Sequence, residues 1–234
     1  MAGTIICDFI RTDANQLSLN VGNTTFATIN AGGFYSNTGV QIISPTGAIN
    51  AASIAAGSIP AGKLGAASVA RTNMYSGAVL QVVNTTYTST FSQAVSGSRV
   101  KLNNISASIT PTSATSKILI MCSVFFEATN PEHNLPWFLY RDSTDLAAPT
   151  AGSRASSIAM AGAGYYDADN DSTPATVMFQ YFDSPATTST ITYAPGVLCA
   201  AGSQTLYINR TVTDGDSGGY ERGISSITLM EIAA

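Results

Sequence analysis

Ile224-Ser225-Ser226-Ile227-Thr228-Leu229-Met230-Glu231-Ile232 interleaves apolar and polar side chains with no helical period. A strand that buries one face and wets the other reads this way, because successive side chains leave a strand on opposite sides. Ile105-Ser106-Ala107-Ser108-Ile109 carries the same pattern. Further strand-like runs are Ala78 to Thr86, Val100 to Thr110, Lys117 to Glu127, Trp137 to Arg141, Thr176 to Phe182, Thr190 to Ala194 and Thr205 to Thr211. Turn-rich clusters separate them at Thr110 to Ser116, Asn130 to Pro136, Asp183 to Thr188 and Asp214 to Gly219. Strands at this spacing without intervening helical patterns predict an antiparallel, jelly-roll-like β-sandwich over residues 77–234, an all-β knob.

Composition points the same way. Of 234 residues only 10% are charged, against about 25% in ordinary soluble domains, while 45% are hydrophobic. Ser, Thr, Ala, Gly and Asn fill the gap. Lys and Glu normally coat exposed helices, whereas β-branched Thr suits a pleated surface. A net charge of −4 leaves no basic footprint for a phosphate backbone, so nucleic acid is not an expected partner. No run of about 20 apolar residues is present to insert into a bilayer. Met1-Ala2-Gly3-Thr4 opens no signal-like pattern, and synthesis in a cytoplasm is expected. Cys7, Cys122 and Cys199 are odd in number and widely spaced, which reads as buried thiols.

Toward the N-terminus, residues 1–45 read as a small β module: Thr4 to Ile10, Gln16 to Val21, Thr25 to Ile29 and Val40 to Ile43, with turns at Gly22-Asn23 and Gly32-Gly33. Between module and knob, residues 46–76 place Ile49, Ile54, Ile59, Leu64, Val69 and Met74 five residues apart among Ala, Gly and Ser. Five matches neither the 3.6 of a helix nor the 2.0 of a strand, and Pro60 with Gly57, Gly62 and Gly65 opposes a helix. The spacing fits a short extended shaft of three chains, each placing one apolar side chain on a shared axis per repeat. A flexible Ala/Gly/Ser linker is the alternative.

The knob text Val79-Leu80-Gln81-Val82-Val83, Ile109-Thr110-Pro111-Thr112-Ser113-Ala114-Thr115-Ser116-Lys117-Ile118-Leu119-Ile120, Tyr181-Phe182-Asp183-Ser184-Pro185-Ala186-Thr187-Thr188 and Ser226 to Ile232 resembles a domain of tail-fibre and other virion-appendage proteins of tailed bacteriophages, notably those of marine bacteria and cyanobacteria. Thr28-Ile29-Asn30-Ala31-Gly32-Gly33-Phe34-Tyr35 and Gly39-Val40 resemble the opening of such proteins. The resemblance implies a virion location after assembly in the host cytoplasm, a homotrimer, attachment to other virion proteins through the N-terminal module, and an outward knob that contributes to recognition of a host-surface glycan or protein. A purely architectural adaptor, collar or head fibre is the second reading, and a polysaccharide hydrolase the third.

Chemistry-bearing motifs are sparse. His133 is the single histidine, no Gly-x-Ser-x-Gly elbow precedes a helical pattern, and no His-Glu-x-x-His or Cys-x-x-Cys pattern occurs. Glu127, Glu132, Glu221 and Glu231 are the glutamates from which a glycosidase would draw its acid pair. No catalytic residue, cofactor or metal site is expected. Asp167, Asp169 and Asp171 alternate and could converge on Ca²⁺, although a solvated loop is the simpler reading. For receptor binding, Tyr165, Tyr166 and Tyr220 join these three aspartates as candidates, since exposed aromatics beside polar groups suit glycan or protein contacts. Trp137 opens an apolar strand and belongs in the core.

Overall fold

The computed structural model describes residues 16–21, 24–36, 41–46, 48–49, 74–129, 135–146, 152–161, 172–200 and 202–234. The chain separates into two compact units, Met1–Val69 and Ala70–Ala234, and the division falls inside the stretch expected to be shaft.

In the first unit β1 (Gln16–Val21), β2 (Thr24–Asn30), β3 (Gly33–Ser36) and β4 (Gln41–Ile43) form an antiparallel meander in sequence order. Gly33 sits at φ +123°, and a Cβ there would lie 2.1 Å from the Ile43 carbonyl oxygen, so the β3–β4 approach requires glycine. After β4 the chain doubles back. Ser44 N–H donates to the Ala48 carbonyl at 2.8 Å, and Ile49 forms an antiparallel bridge with Ile43.

The second unit contains β5 (Val79–Tyr87), β6 (Phe91–Val95), β7 (Val100–Lys101), β8 (Ala107–Ile109), β9 (Lys117–Ala128), β10 (Leu135–Arg141), β11 (Thr144–Leu146), β12 (Ala159–Ala161), β13 (Ala175–Asp183), β14 (Ile191–Val197), β15 (Gln204–Ile208) and β16 (Ser225–Ile232). Every pairing is antiparallel, and the described residues include no helix. Several short strands are collinear pieces of one line. β5 and β6 run in succession along β16 and β15; β7 and β8 share the edge of β14; β11 and β12 share the edge of β10. Merging the pieces leaves eight strand positions, with the first paired to the eighth, the second to the seventh, the third to the sixth and the fourth to the fifth. The sheets are then ordered 1-8-3-6 and 2-7-4-5, which is a long antiparallel hairpin folded over on itself: a jelly roll.

The core lies between the sheets and follows the alternation read from sequence. Ile118, Ile120, Cys122, Val124 and Phe126 of β9 point inward with Ile227 and Leu229 of β16, and meet Trp137, Leu139, Tyr193 and Val197 of the facing sheet. Each such large side chain contributes about 1.5–3 kcal/mol on burial. Trp137 is completely buried, with its ring 5.0 Å from that of Phe126. Cys122 and Cys199 are buried as expected, and burial pushes the Cys122 thiol well above its ordinary range. One polar tie crosses the core margin. Arg141 on β10 donates to both carboxylate oxygens of Asp183 on β13, at 2.9 and 2.8 Å, and the Tyr193 hydroxyl donates to the same carboxylate at 2.6 Å. Burial, then the Asp183 hydrogen bond, raises the Tyr193 pKa.

Val100 to Thr110 is not the single strand its sequence predicts. Leu102 and Ile105 both enter the core three residues apart, which a straight strand cannot arrange. The chain therefore turns there, with Ile105 N–H donating to the Leu102 carbonyl at 3.1 Å.

Candidate functional site

The eighth strand position is interrupted between β15 and β16 by residues 209–224, and the first position is interrupted opposite it by residues 88–90. Asn209 makes this break tolerable. It is buried at φ +61°, a conformation asparagine accepts more readily than most residues. Its side-chain amide donates to the Tyr87 and Ser89 carbonyls at 2.8 and 2.9 Å, and its amide oxygen accepts from Ser225 Oγ at 2.7 Å. Ser225 Oγ in turn accepts from Phe125 N–H at 3.1 Å. One side chain thus supplies partners to backbone groups that two ladders lost.

From this base the 209–224 loop rises as a held structure. Arg210 and Arg222 form an antiparallel bridge at its foot, and Asp214 lies between their guanidinium groups at 3.4 and 2.6 Å. The Asp214 carboxylate is therefore ion-paired within the loop. Arg210 also stacks over Tyr207, 4.3 Å from the ring centroid. Gly223 packs under the Phe125 ring, where a Cβ would lie 2.3 Å from it.

Tyr220, the receptor-binding candidate among the described residues, sits on this loop. Its ring lies across Gly215, at 2.9 Å from where a Cβ would be, and its N–H donates to the Ser217 carbonyl at 3.2 Å. It is half-buried. Ser172 Oγ bonds the Gly219 carbonyl at 2.7 Å and Glu221 Oε2 at 2.9 Å, the two residues that flank Tyr220. Ser172 directly follows the acidic stretch in sequence. Tyr165, Tyr166, Asp167, Asp169 and Asp171 themselves, with His133 and Glu132, lie outside the described residues. No group of three metal-ligating side chains occurs among the described residues.

Glu127 sets the position of both segments, and its role is not visible in the sequence. It is buried at the end of β9. Oε1 accepts from Thr173 N–H at 2.6 Å and Thr173 Oγ1 at 3.2 Å, while Oε2 accepts from Val212 N–H at 2.5 Å. Hydrogen bonds to an ionised acceptor are the strong ones, so a single carboxylate anchors the loop and its neighbour. Glu231 does similar work at the other end of the sheet. Its oxygens accept from Thr112 N–H and Oγ1, each at 2.7 Å, and from Gln81 Nε2 at 2.6 Å. Burial raises its pKa, but these hydrogen bonds outweigh it and leave the carboxyl below its ordinary value.

Of the six proposed axis residues, Ile49 and Met74 fall among the described residues, and both are exposed, at 62% and 42%. Ile54, Ile59, Leu64 and Val69 lie outside them.

No protein-family model matches this chain, and no curated protein matches it. Among solved structures it is similar to the VP2 subviral particle of infectious bursal disease virus (13% identity, TM-score 0.31, covering 65% of this chain and 41% of that one). It is likewise similar to the T=1 particle derived from the same virus (16%, TM-score 0.32, 65% and 40%). This chain spans less than half of either.

Proposed function

We propose that the chain is a non-enzymatic structural subunit of a virus particle: a homotrimeric tail fibre of a tailed bacteriophage, whose jelly roll contributes to recognition of the host surface. The observation that carries this reading is the separation of two features along one sheet. The chain reaches the jelly roll at Gly77 and Ala78, which are hydrogen-bonded to Ala233 beside the first residues of β9. The Tyr220 loop is anchored at Phe125 and Glu127, about 27 Å further along that strand at 3.4 Å per residue. One end of the domain is thus tied to the rest of the chain, and a pre-ordered loop stands near the other. Ordered aromatic loops on a rigid scaffold suit recognition, because little entropy remains to be lost on contact.

The non-enzymatic part rests on how the acidic groups are used. Glu127 and Glu231 are both spent on backbone and side-chain donors inside the fold, and Asp214 on two arginines. Trimer formation through residues 46–76 and virion attachment through the N-terminal module belong to the same proposal, supported by the five-residue repeat and the tail-fibre resemblance. The test is competition. Purified full-length protein is expected to reduce adsorption of the phage to its host, and the Tyr220→Ala protein to do so less. Undiminished adsorption at saturating protein contradicts a receptor role, and release of reducing ends from host surface glycan contradicts the non-enzymatic reading.

A further inference from the structure

The two outer faces of the jelly roll are finished differently. On the 2-7-4-5 sheet, Phe138 is buried and lies flat across Gly196, where a Cβ would come within 2.5 Å of its ring. The Arg99 guanidinium covers it 4.5 Å from the centroid, the Tyr140 ring packs at 5.5 Å, and Lys101 stands over Tyr140. That face is covered by its own side chains.

On the 1-8-3-6 sheet Arg210 covers Tyr207 close to the 209–224 loop, and the rows nearer the start of β9 carry no stacked arginine among the described residues. Register sets Phe182, Leu119, Met230 and Val82 side by side on the outer surface, one from each of β13, β9, β16 and β5. An unbroken apolar row therefore crosses the whole sheet. Phe182 is 50% exposed and Val82 55%. Two rows away, Ser123, Ser226 and Thr86 are small, and beside them Met178 is 73% exposed. Met121, Met178, Ser123, Ser226 and Thr228 line a shallow depression of about 350 Å³. Lys117 alone brings charge to these positions, with its ammonium 5.7 Å from the Phe182 ring, and no carboxylate joins it.

We infer that this face packs against a second copy of the same chain. The inference rests on the reading of the protein as an assembling subunit, but it is independent of the five-residue repeat. Three observations select a copy over another partner. An apolar ridge two rows from an uncharged hollow is complementary to itself, and with Lys117 the one charge beside it calls for no partner of opposite charge pattern. Ridge-into-hollow contact through this face on both copies is isologous, so one patch serves both sides of the contact. Area also suffices: four strands about 4.8 Å apart, over the nine residues of β13 at about 3.4 Å each, give roughly 600 Å² per copy. The pair then buries about 1,200 Å², where stable interfaces begin.

The test is the sedimentation of full-length protein at micromolar concentration. Val82→Lys with Phe182→Lys replaces two exposed side chains, and Met160→Lys, on β12 of the other sheet and 55% exposed, is the control. Wild type and control are expected to sediment as the same multimer, and the double variant to associate at least about 30-fold more weakly. A folded double variant that sediments as wild type does overturns the inference and leaves the assembly reading standing. Monomeric wild type removes both. If the double variant does not fold, peroxide oxidation of the wild type decides: Met178 slower than Met160 supports the contact, and equal rates refute it.

Discussion

Glu127 Oε2 accepts the Val212 N–H at 2.5 Å, so a buried carboxylate at the end of β9 fixes the start of the loop that presents Tyr220. Its other oxygen takes the Thr173 N–H. Glu127→Gln keeps the shape but turns an amide N–H₂ toward a backbone donor. A hydrogen bond to a charged group contributes about 1.5–3 kcal/mol, so the variant is expected to lose about 2 kcal/mol. Melting then falls by roughly 4–8 °C. Hydrogen exchange at Val212 and Thr173 accelerates more than at Ile120; uniform acceleration contradicts a local anchor.

Asn209 separates backbone strain from side-chain bonding. Asn209→Gly keeps the positive φ but loses the bonds to Tyr87, Ser89 and Ser225. Asn209→Ala loses the same bonds and adds about 1–2 kcal/mol of left-handed strain. Urea unfolding is therefore expected to rank wild type above Gly above Ala, and an Ala variant as stable as the Gly variant removes the strain component.

Glu231 predicts the acid limb of stability. Its folded-state pKa lies below the ordinary carboxylate value, so its contribution is fully present above that value. The contribution is lost as pH falls through the depressed folded pKa. Glu231→Gln is expected to be less stable at pH 7 and to lose less stability between pH 5 and pH 3, read from urea midpoints. Parallel curves for the two proteins contradict the assignment.

Gly196 predicts an overpacking cost. Ala at this position drives a methyl into the Phe138 ring, which Arg99 and Tyr140 hold from the other side. A loss of about 1–3 kcal/mol in thermal or urea unfolding is expected. Gly218→Ala, with open space around its Cβ position, is expected to change stability little.

The long strands were legible because their burial is one-sided. Ser225–Ile232 and Lys117–Ala128 alternate, and alternation fixes which side chains meet. The short strands β3, β6, β11 and β12 went unread, since a strand of three to five residues has too few inward positions to make a pattern. The anchoring role of Glu127 was not legible for a related reason. A lone glutamate in an apolar run reads as the wet side of a strand, yet Phe126, Glu127 and Ala128 are all buried. That stretch is where the sheet meets the loop, and the glutamate serves backbone donors far away in sequence. Nor does any local pattern reveal that Ser172 lies beside Tyr220, since the contact joins segments 47 residues apart.

Location on the particle tests the proposal most directly. Gold-labelled antibody raised against the full-length chain, imaged by electron microscopy on intact phage, is expected to mark a tail appendage. Particles that carry no label, while the chain is abundant in the infected cell, would contradict it.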